Sequence, residues 1–145
     1  MERVLELGGY SARYCGRLFV QTGYSVSRVK SSPKPGWASR MAMNLFLDVE
    51  KQHLDSFRQD LPDSFDVVIV EANSADEAIN LGIEEWKNAI VVVITPFGLS
   101  GPRRNWKATS STLLAMGGYT QLMGDEGRAP LTLPGHYVEF QAAQY

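Results

Sequence analysis

The sequence predicts an α/β fold built on an open, mostly parallel β-sheet with helices on both faces. Short apolar runs alternate with segments of helical pattern along the first two thirds of the chain, as in sheets with crossover helices. Two runs, Asp66–Glu71 and Ala89–Thr95, are almost continuously β-branched, which is typical of parallel strands buried on both faces. A length of 145 residues, with 44% hydrophobic and 21% charged residues, suits one globular domain.

The first elements form a predicted βαβ unit. Val4–Leu7 is an apolar run that ends at two glycines, and Ser11 is the expected N-cap of a following helix. Gly23 ends that helix, and Tyr24–Lys30 alternates as a second strand does. The two strands are expected to be adjacent and parallel.

The middle of the chain contains the remaining predicted sheet elements. The Pro- and Gly-rich segment Ser31–Gly36 is a predicted loop. After it we expect, in order, a strand at Asn44–Val49, a helix at Glu50–Arg58, a strand at Asp66–Glu71, a helix from the cap Ser74 to Leu81, and a strand at Ala89–Thr95.

The last third of the chain has a different pattern, in which loops lead into helices. Thr95–Lys107 is rich in Gly, Pro and Arg and precedes a predicted helix at Ser110–Met116. Gly124–Gly135 is a second such loop, before a helix predicted from Val138 to Tyr145. Helix N-termini often hold anionic ligands. Residues 1–145 are therefore expected to form one Rossmann-like domain, and because the last helix runs to the final residue, we expect a fragment of a longer chain.

Composition excludes several classes of function. The net charge of −2 and the lack of a basic stripe disfavour a nucleic-acid partner. The single cysteine, Cys15, allows no internal disulfide and no metal cluster, which favours a reducing, cytoplasmic compartment and no bound metal. Arg3 and Glu6 interrupt the N-terminal apolar run, so neither a signal peptide nor a membrane span is expected.

The turn after the first strand is open to three interpretations. Gly8, Gly9 and Gly16 do not complete the G-x-G-x-x-G pattern of dinucleotide sites. A methyltransferase would have an acidic residue at the end of the second strand, where this chain has Lys30. The third interpretation is a tight turn with no ligand, as in any α/β domain.

The tail carries a resemblance to a known family. Thr95-Pro96-Phe97-Gly98-Leu99-Ser100-Gly101-Pro102, Leu114-Ala115-Met116-Gly117-Gly118, Leu122-Met123-Gly124-Asp125 and Pro134-Gly135 occur in order. They resemble successive motifs of the family III CoA-transferases, which are related to formyl-CoA and carnitine CoA-transferases and to alpha-methylacyl-CoA racemases. Val4–Leu7 with Ser11–Cys15, and Asp66–Glu71, are similar to earlier parts of the same family. The resemblance covers nearly all of this chain but only the N-terminal portion of a typical member.

The resemblance implies a function, a cofactor and a nucleophile. Members move CoA between carboxylic acids through an intermediate on an aspartate carboxylate. The matching position here is Glu139, whose alternative role is that of a carboxylate favoured at a helix start. Racemase activity is not expected, because Thr109 and Ser110 stand at the positions of the racemase histidine and aspartate.

The resemblance also implies binding residues and partners. Tyr10, Ser11 and Ala12 are expected to contact CoA, and their alternative role is that of loop and helix cap. Arg103 and Arg104 are expected to meet the CoA phosphates, or else belong to a solvated basic loop. The expected partners are acyl-CoA and an acceptor carboxylic acid, with a homodimer for the full-length protein and an inactive isolated chain. A non-catalytic CoA- or nucleotide-binding module and, more weakly, a methyltransferase-like domain are the alternatives.

Overall fold

A computed structural model describes residues 2–29 and 41–145. Five strands form one sheet in the order β3-β2-β1-β4-β5, and every neighbouring pair is parallel. The strands are β1 (Arg3–Leu7), β2 (Ser25–Val29), β3 (Gln52–Leu54), β4 (Val67–Glu71) and β5 (Ile90–Ile94). The helices are α1 (Tyr10–Gln21), α2 (Met41–Asp48), α3 (Ala75–Asn80), α4 (Ser110–Met116), α5 (Tyr119–Leu122) and α6 (Tyr137–Gln144).

The predicted fold class is confirmed, and most of its elements lie where the sequence indicated. The first two strands are adjacent and parallel, with Val4 opposite Val26. Ser74 caps α3 by accepting a hydrogen bond from the Glu77 amide. The strand predicted at 89–95 and the helices predicted at 110–116 and 138–145 are present as β5, α4 and α6. The loop predicted at 31–36, and Lys30, lie outside the described residues.

Two neighbouring predictions were wrong. Asn44–Val49 was expected to be a strand but belongs to α2, in which Asn44 and Leu47 are buried at helical spacing. Glu50–Arg58 was expected to be a helix but contains β3, which pairs with β2 at the sheet edge. The physical reason is that α2 consists largely of Met, Ala and Leu, which favour helices, whereas β3 owes its conformation to its backbone pairing and carries no apolar alternation.

The two faces of the sheet bury separate apolar clusters. On one face Ala12 of α1 packs with Val4, Val26 and Ile69. On the other, α3 and the segment after it contact the sheet through a cluster of eight buried residues: Leu5, Phe65, Val68, Val70, Ala72, Ala78, Ile83 and Trp86. Helices therefore cover both faces, and β4 is buried from either side.

A group of buried charges joins α1 and α2 to the first two strands. Lys51 Nζ lies 2.5 Å from Glu6 Oε2 and also donates to the Arg13 carbonyl at 2.7 Å. Arg28 Nε lies 3.2 Å from Glu6 Oε1, and both Arg13 and Arg28 contact Asp48. Burial raises the pKa of Glu6 to about 7, against the opposing effect of Lys51 and Arg28. Burial also lowers the pKa of Lys51, which Glu6 opposes.

Candidate functional site

A cavity of about 280 Å³ lies at the carboxyl ends of β4 and β5, beside the start of α1. The strand order reverses between β1 and β4, and ligands of open α/β sheets bind in the crevice at such a point. The strands contribute Glu71 and Ile94, and Thr95 follows β5 directly. Helices α4 and α6 close the cavity with Ser110, Leu113, Val138, Glu139 and Ala142.

Glu139 presents its carboxylate to this cavity from the first turn of α6. Its Oε1 accepts a hydrogen bond from Ser110 Oγ at 2.8 Å, and His136 Nδ1 lies 3.7 Å from the same oxygen. Its Oε2 is buried and has no hydrogen-bonding partner within the part of the chain that the structure describes. One oxygen is thus held by the protein, and the other is buried without a partner among the described residues.

Glu71 is the second carboxylate of the cavity, and it reaches the N-terminus of α1. Its Oε2 accepts the Ala12 amide at 2.9 Å. Burial raises the pKa of Glu71 and the charge of Glu139 adds to this, whereas hydrogen bonds from the Ala12, Ser11 and Gly9 amides oppose it. Two carboxylates therefore face one cavity, and its lining contains no Lys or Arg among the described residues.

The three residues predicted to contact CoA at the first turn, Tyr10, Ser11 and Ala12, lie in different surroundings. Ser11 is buried and lines the cavity, but it does not cap α1, whose N-cap is Gly9 with no side-chain cap. The N-cap prediction was therefore wrong, because the Glu71 carboxylate takes up the amides that a cap side chain would satisfy. Ala12 is fully buried in the core, and Tyr10 stacks on His136 with ring centroids 3.7 Å apart.

Arg103 and Arg104 lie outside the cavity lining, on the exposed loop after β5. The Arg103 guanidinium lies 5.1 Å from the Trp106 ring centroid, and Arg104 Nη2 lies 3.7 Å from Asp76. The Arg104 carbonyl accepts the Ala75 amide at 3.0 Å, two residues after Asn73, which lines the cavity. The basic loop thus borders the cavity without entering it.

Sequence reasoning missed Glu71 and Thr95 as residues of the site. Thr95 lines the cavity, and its Oγ1 is buried without a hydrogen-bonding partner in residues 2–29 and 41–145. Both residues stand at the carboxyl ends of neighbouring parallel strands, where such sheets bring side chains together. A polar residue at the end of a β-branched run was the pattern that could have identified them.

The described residues contain neither a metal site nor a helix that could span a membrane. In residues 2–29 and 41–145, no group of His, Cys, Asp and Glu side chains is arranged to hold a metal ion. Across the same ranges, no helix combines the length and the apolar character needed to cross a membrane.

Comparison with solved structures defines the class of fold. No family model matches this chain, and no curated protein matches it. The orthorhombic crystal structure of Rv3272 from Mycobacterium tuberculosis aligns with 99% of this chain and 45% of its own length, at 20% identity and a TM-score of 0.77. A second structure of Rv3272, described as a hypothetical protein, aligns at 20% identity and a TM-score of 0.76, over 99% of this chain and 46% of its own length.

These likenesses establish a doubly wound α/β fold and nothing about activity. The chain spans less than half the length of the Rv3272 structures. An imine reductase from Myxococcus stipitatus in complex with NAD+ aligns with 66% of this chain and 30% of its own length, at 16% identity and a TM-score of 0.46. A similarity this low supports no inference about this chain.

Proposed function

We propose that this chain is the CoA-binding part of a CoA-transferase-like protein, with Glu139 as its nucleophile. The observation that supports the proposal best is the Glu139 carboxylate, whose Oε1 is held by Ser110 and whose Oε2 is unpartnered at the cavity among the described residues. A carboxylate that is oriented by a hydroxyl and otherwise free to react suits acyl transfer by covalent catalysis. The motifs of the tail, from Thr95 to Tyr145, point to the same chemistry.

The proposed reaction proceeds by four exchanges on the Glu139 carboxylate. Glu139 Oε2 attacks the thioester carbonyl of acyl-CoA and expels the CoA thiolate, which leaves a mixed anhydride. The thiolate then attacks Cδ of Glu139, releasing the donor carboxylate and forming a glutamyl-CoA thioester. The acceptor carboxylate attacks this thioester, which gives a second anhydride and expels the CoA thiolate. The thiolate then attacks the acyl carbon of the acceptor, which gives the new acyl-CoA and frees the Glu139 carboxylate.

The size of the cavity indicates which part of the substrate it would take. A volume of about 280 Å³ is at the small end of ligand pockets, which commonly measure about 300–1,000 Å³. The thioester and a short acyl group fit such a space, whereas the nucleotide of CoA would lie outside. Arg103 and Arg104, on the loop that borders the cavity, are the proposed partners of its phosphates.

The wider protein belongs to the same proposal. Acyl-CoA and an acceptor acid are the proposed partners, and no metal takes part in the chemistry. We also propose that the full-length protein forms a homodimer and is located in the cytoplasm.

The test is capture of the covalent intermediate in the full-length protein, because the isolated chain is expected to be inactive. The protein is incubated with acetyl-CoA and then with hydroxylamine, which converts a glutamyl thioester to a hydroxamate that peptide mass spectrometry locates. The expected result is a hydroxamate at Glu139 in the natural sequence and none in Glu139→Gln. Glu84→Gln is the matched control. Glu84 is an exposed glutamate between Ile83 and Trp86, which pack against the sheet away from the cavity lining.

Calorimetry separates the proposal from its alternatives. CoA binding without a hydroxamate would identify a non-catalytic CoA-binding module and refute the nucleophile. Binding of S-adenosylmethionine but not of CoA would favour the methyltransferase-like alternative. Equal hydroxamate in Glu139→Gln would show that another residue carries the acyl group.

A further inference from the structure

The first βα turn of this fold is the position at which many α/β proteins bind phosphate. Its backbone amides point out of the helix N-terminus, and the helix dipole favours a negative charge there. In this chain α1 is twelve residues long and its N-cap, Gly9, contributes no side-chain hydrogen bond. The turn therefore has the geometry of an anion site with no anion supplied by its own segment.

The anion comes from the neighbouring strand. Glu71, the last residue of β4, places its carboxylate against this turn and accepts the Ala12 amide at 2.9 Å. Hydrogen bonds from the Ser11 and Gly9 amides also favour the ionised form of Glu71, since they lower its pKa. The carboxylate thus makes the contacts that a phosphate oxygen would otherwise make.

The glycine pair at the turn fits this arrangement closely. A Cβ on Gly8 would lie 2.6 Å from Glu71 Cβ, and a Cβ on Gly9 would lie 2.8 Å from Glu71 Oε1. Gly8 also has a φ of +138°, which other residues rarely adopt. The two glycines leave room for the Glu71 side chain, so the turn is built around a carboxylate of the same chain.

We propose that Glu71 is a specificity-determining residue, an internal anion that occupies the phosphate position at the N-terminus of α1 and keeps a ligand phosphate out of that position. A phosphate would have to displace the carboxylate or lie beside it, and Glu139 adds a second negative charge to the same lining. That the ligand is an acyl-CoA, whose phosphates would then lie elsewhere, rests on the proposed function. The assignment of Glu71 as the internal anion does not.

The proposal predicts that removal of the carboxylate creates a phosphate site. In Glu71→Ala the Ala12 amide loses its acceptor and the Gly9 and Ser11 amides lose a neighbouring carboxylate, and inorganic phosphate should take its place. The ¹⁵N amide resonances of these three residues are expected to shift saturably as phosphate is added to the variant. In the natural sequence they are expected to stay unchanged over the same titration.

Thermal unfolding provides a second readout that also works if the variant folds poorly. Glu71→Ala should melt at a lower temperature than the natural chain, and phosphate should restore part of the loss. At a phosphate concentration about ten times the dissociation constant, the midpoint should rise by about 3–6 °C. Sodium chloride at equal ionic strength should not produce this rise, because chloride lacks the several oxygen acceptors of a phosphate.

Two variants control the interpretation. Glu84→Ala removes an equal charge from an exposed position, so neither its amide resonances at the turn nor its melting temperature should respond to phosphate. Glu71→Gln keeps the shape and one acceptor oxygen but loses the charge, and it should gain a weaker response to phosphate than Glu71→Ala. If Glu71→Ala does not fold even in phosphate, the response of Glu71→Gln decides.

Two results would overturn the assignment. One is a phosphate response of the natural chain equal to that of the variants, which would mean that Glu71 does not exclude the anion. The other is a folded Glu71 variant with no response at Gly9, Ser11 and Ala12. Neither measurement involves acyl-CoA or the reaction at Glu139, so the failure of one proposal is distinguishable from the failure of the other.

Discussion

The buried pair of Lys51 and Glu6 allows a stability prediction with a defined magnitude and a defined pH dependence. The perturbation is Lys51→Met, which keeps an unbranched side chain of similar length and removes the charge. The Lys51 side chain is 0% exposed and that of Glu6 is 1% exposed, so water cannot replace the lost partner. The substitution also removes the hydrogen bond from Lys51 to the Arg13 carbonyl.

The expected cost follows from what remains around Glu6. Removing one member of a buried ion pair costs about 3–5 kcal/mol, because the other charge is left without compensation. Arg28 Nε stays 3.2 Å from Glu6 Oε1, so we expect the lower end of this range, about 3 kcal/mol. The double variant Glu6→Met/Lys51→Met should be more stable than Lys51→Met by at least about 1 kcal/mol, since it removes the stranded carboxylate.

The raised pKa of Glu6 determines the direction in which stability changes with pH. The folded-state pKa of Glu6, about 7, lies above its ordinary value of 4.5, so the folded state binds the proton more tightly than the unfolded chain. The contribution of Glu6 is therefore fully present below pH 4.5 and is lost as the pH rises towards about 7. Lys51→Met removes a neighbour that lowers this pKa, so its cost should be smaller at about pH 5 than at about pH 8.

Urea unfolding followed by circular dichroism measures these differences. The natural chain, both single variants and the double variant form a cycle, with Lys87→Met as the control because Lys87 is exposed. Asp48, Arg13 and Arg28 face the pair and remain in all four proteins. A cost of Lys51→Met below about 1 kcal/mol, or strict additivity in the cycle, would refute the reasoning.

Two further predictions concern backbone positions. Gly16→Ala would put a Cβ 3.1 Å from Lys51 Nζ and 3.2 Å from Glu6 Cδ, so urea unfolding should show a loss of about 1–3 kcal/mol despite the better helix propensity of alanine. A gain in stability would contradict the packing described for Gly16. Ser74→Ala removes the hydrogen bond that the Glu77 amide donates to the α3 cap and should cost about 1 kcal/mol, whereas Ser74→Asp should keep most of the stability. Equal melting temperatures for the two Ser74 variants would show that the cap contributes nothing.

The fold was predictable because the apolar pattern of most elements favours one type of secondary structure. The continuous β-branched run at 66–71 can only be a strand buried from both sides, and β4 is that strand. Ser74, with acidic residues two and three positions later, identified the start of α3. Such local patterns also placed α4 and α6, although tertiary packing determines how those helices close the cavity.

The segment from Met41 to Leu54 was not predictable in the same way. The apolar residues of α2 run almost without interruption, and periodicity alone does not separate a strand from a buried helix in such a run. β3 has three residues with no apolar alternation, and it is a strand because β2 offers an unpaired edge. Its conformation is a property of the sheet rather than of the segment.

The candidate site shows the same division between local pattern and assembled structure. Glu139 was identified by its place in the tail motifs, and the structure puts it in the cavity lining, where its role stays a prediction. Glu71 was not identified, since its importance depends on a contact with Ala12 across 59 residues of sequence. The sequence allowed three interpretations of the Gly8-Gly9 turn. The position of the Glu71 side chain explains why both residues are glycine.

The internal carboxylate changes what the glycine turn implies about ligands. A glycine pair between a first strand and a first helix is usually evidence for bound phosphate, because small residues let a ligand approach the backbone. In this chain the close approach is made by Glu71 instead, so the same glycines no longer argue for a nucleotide at the turn. The polar groups at the cavity without a hydrogen-bonding partner in the described chain are then Thr95 Oγ1 and Glu139 Oε2, rather than the amides of α1.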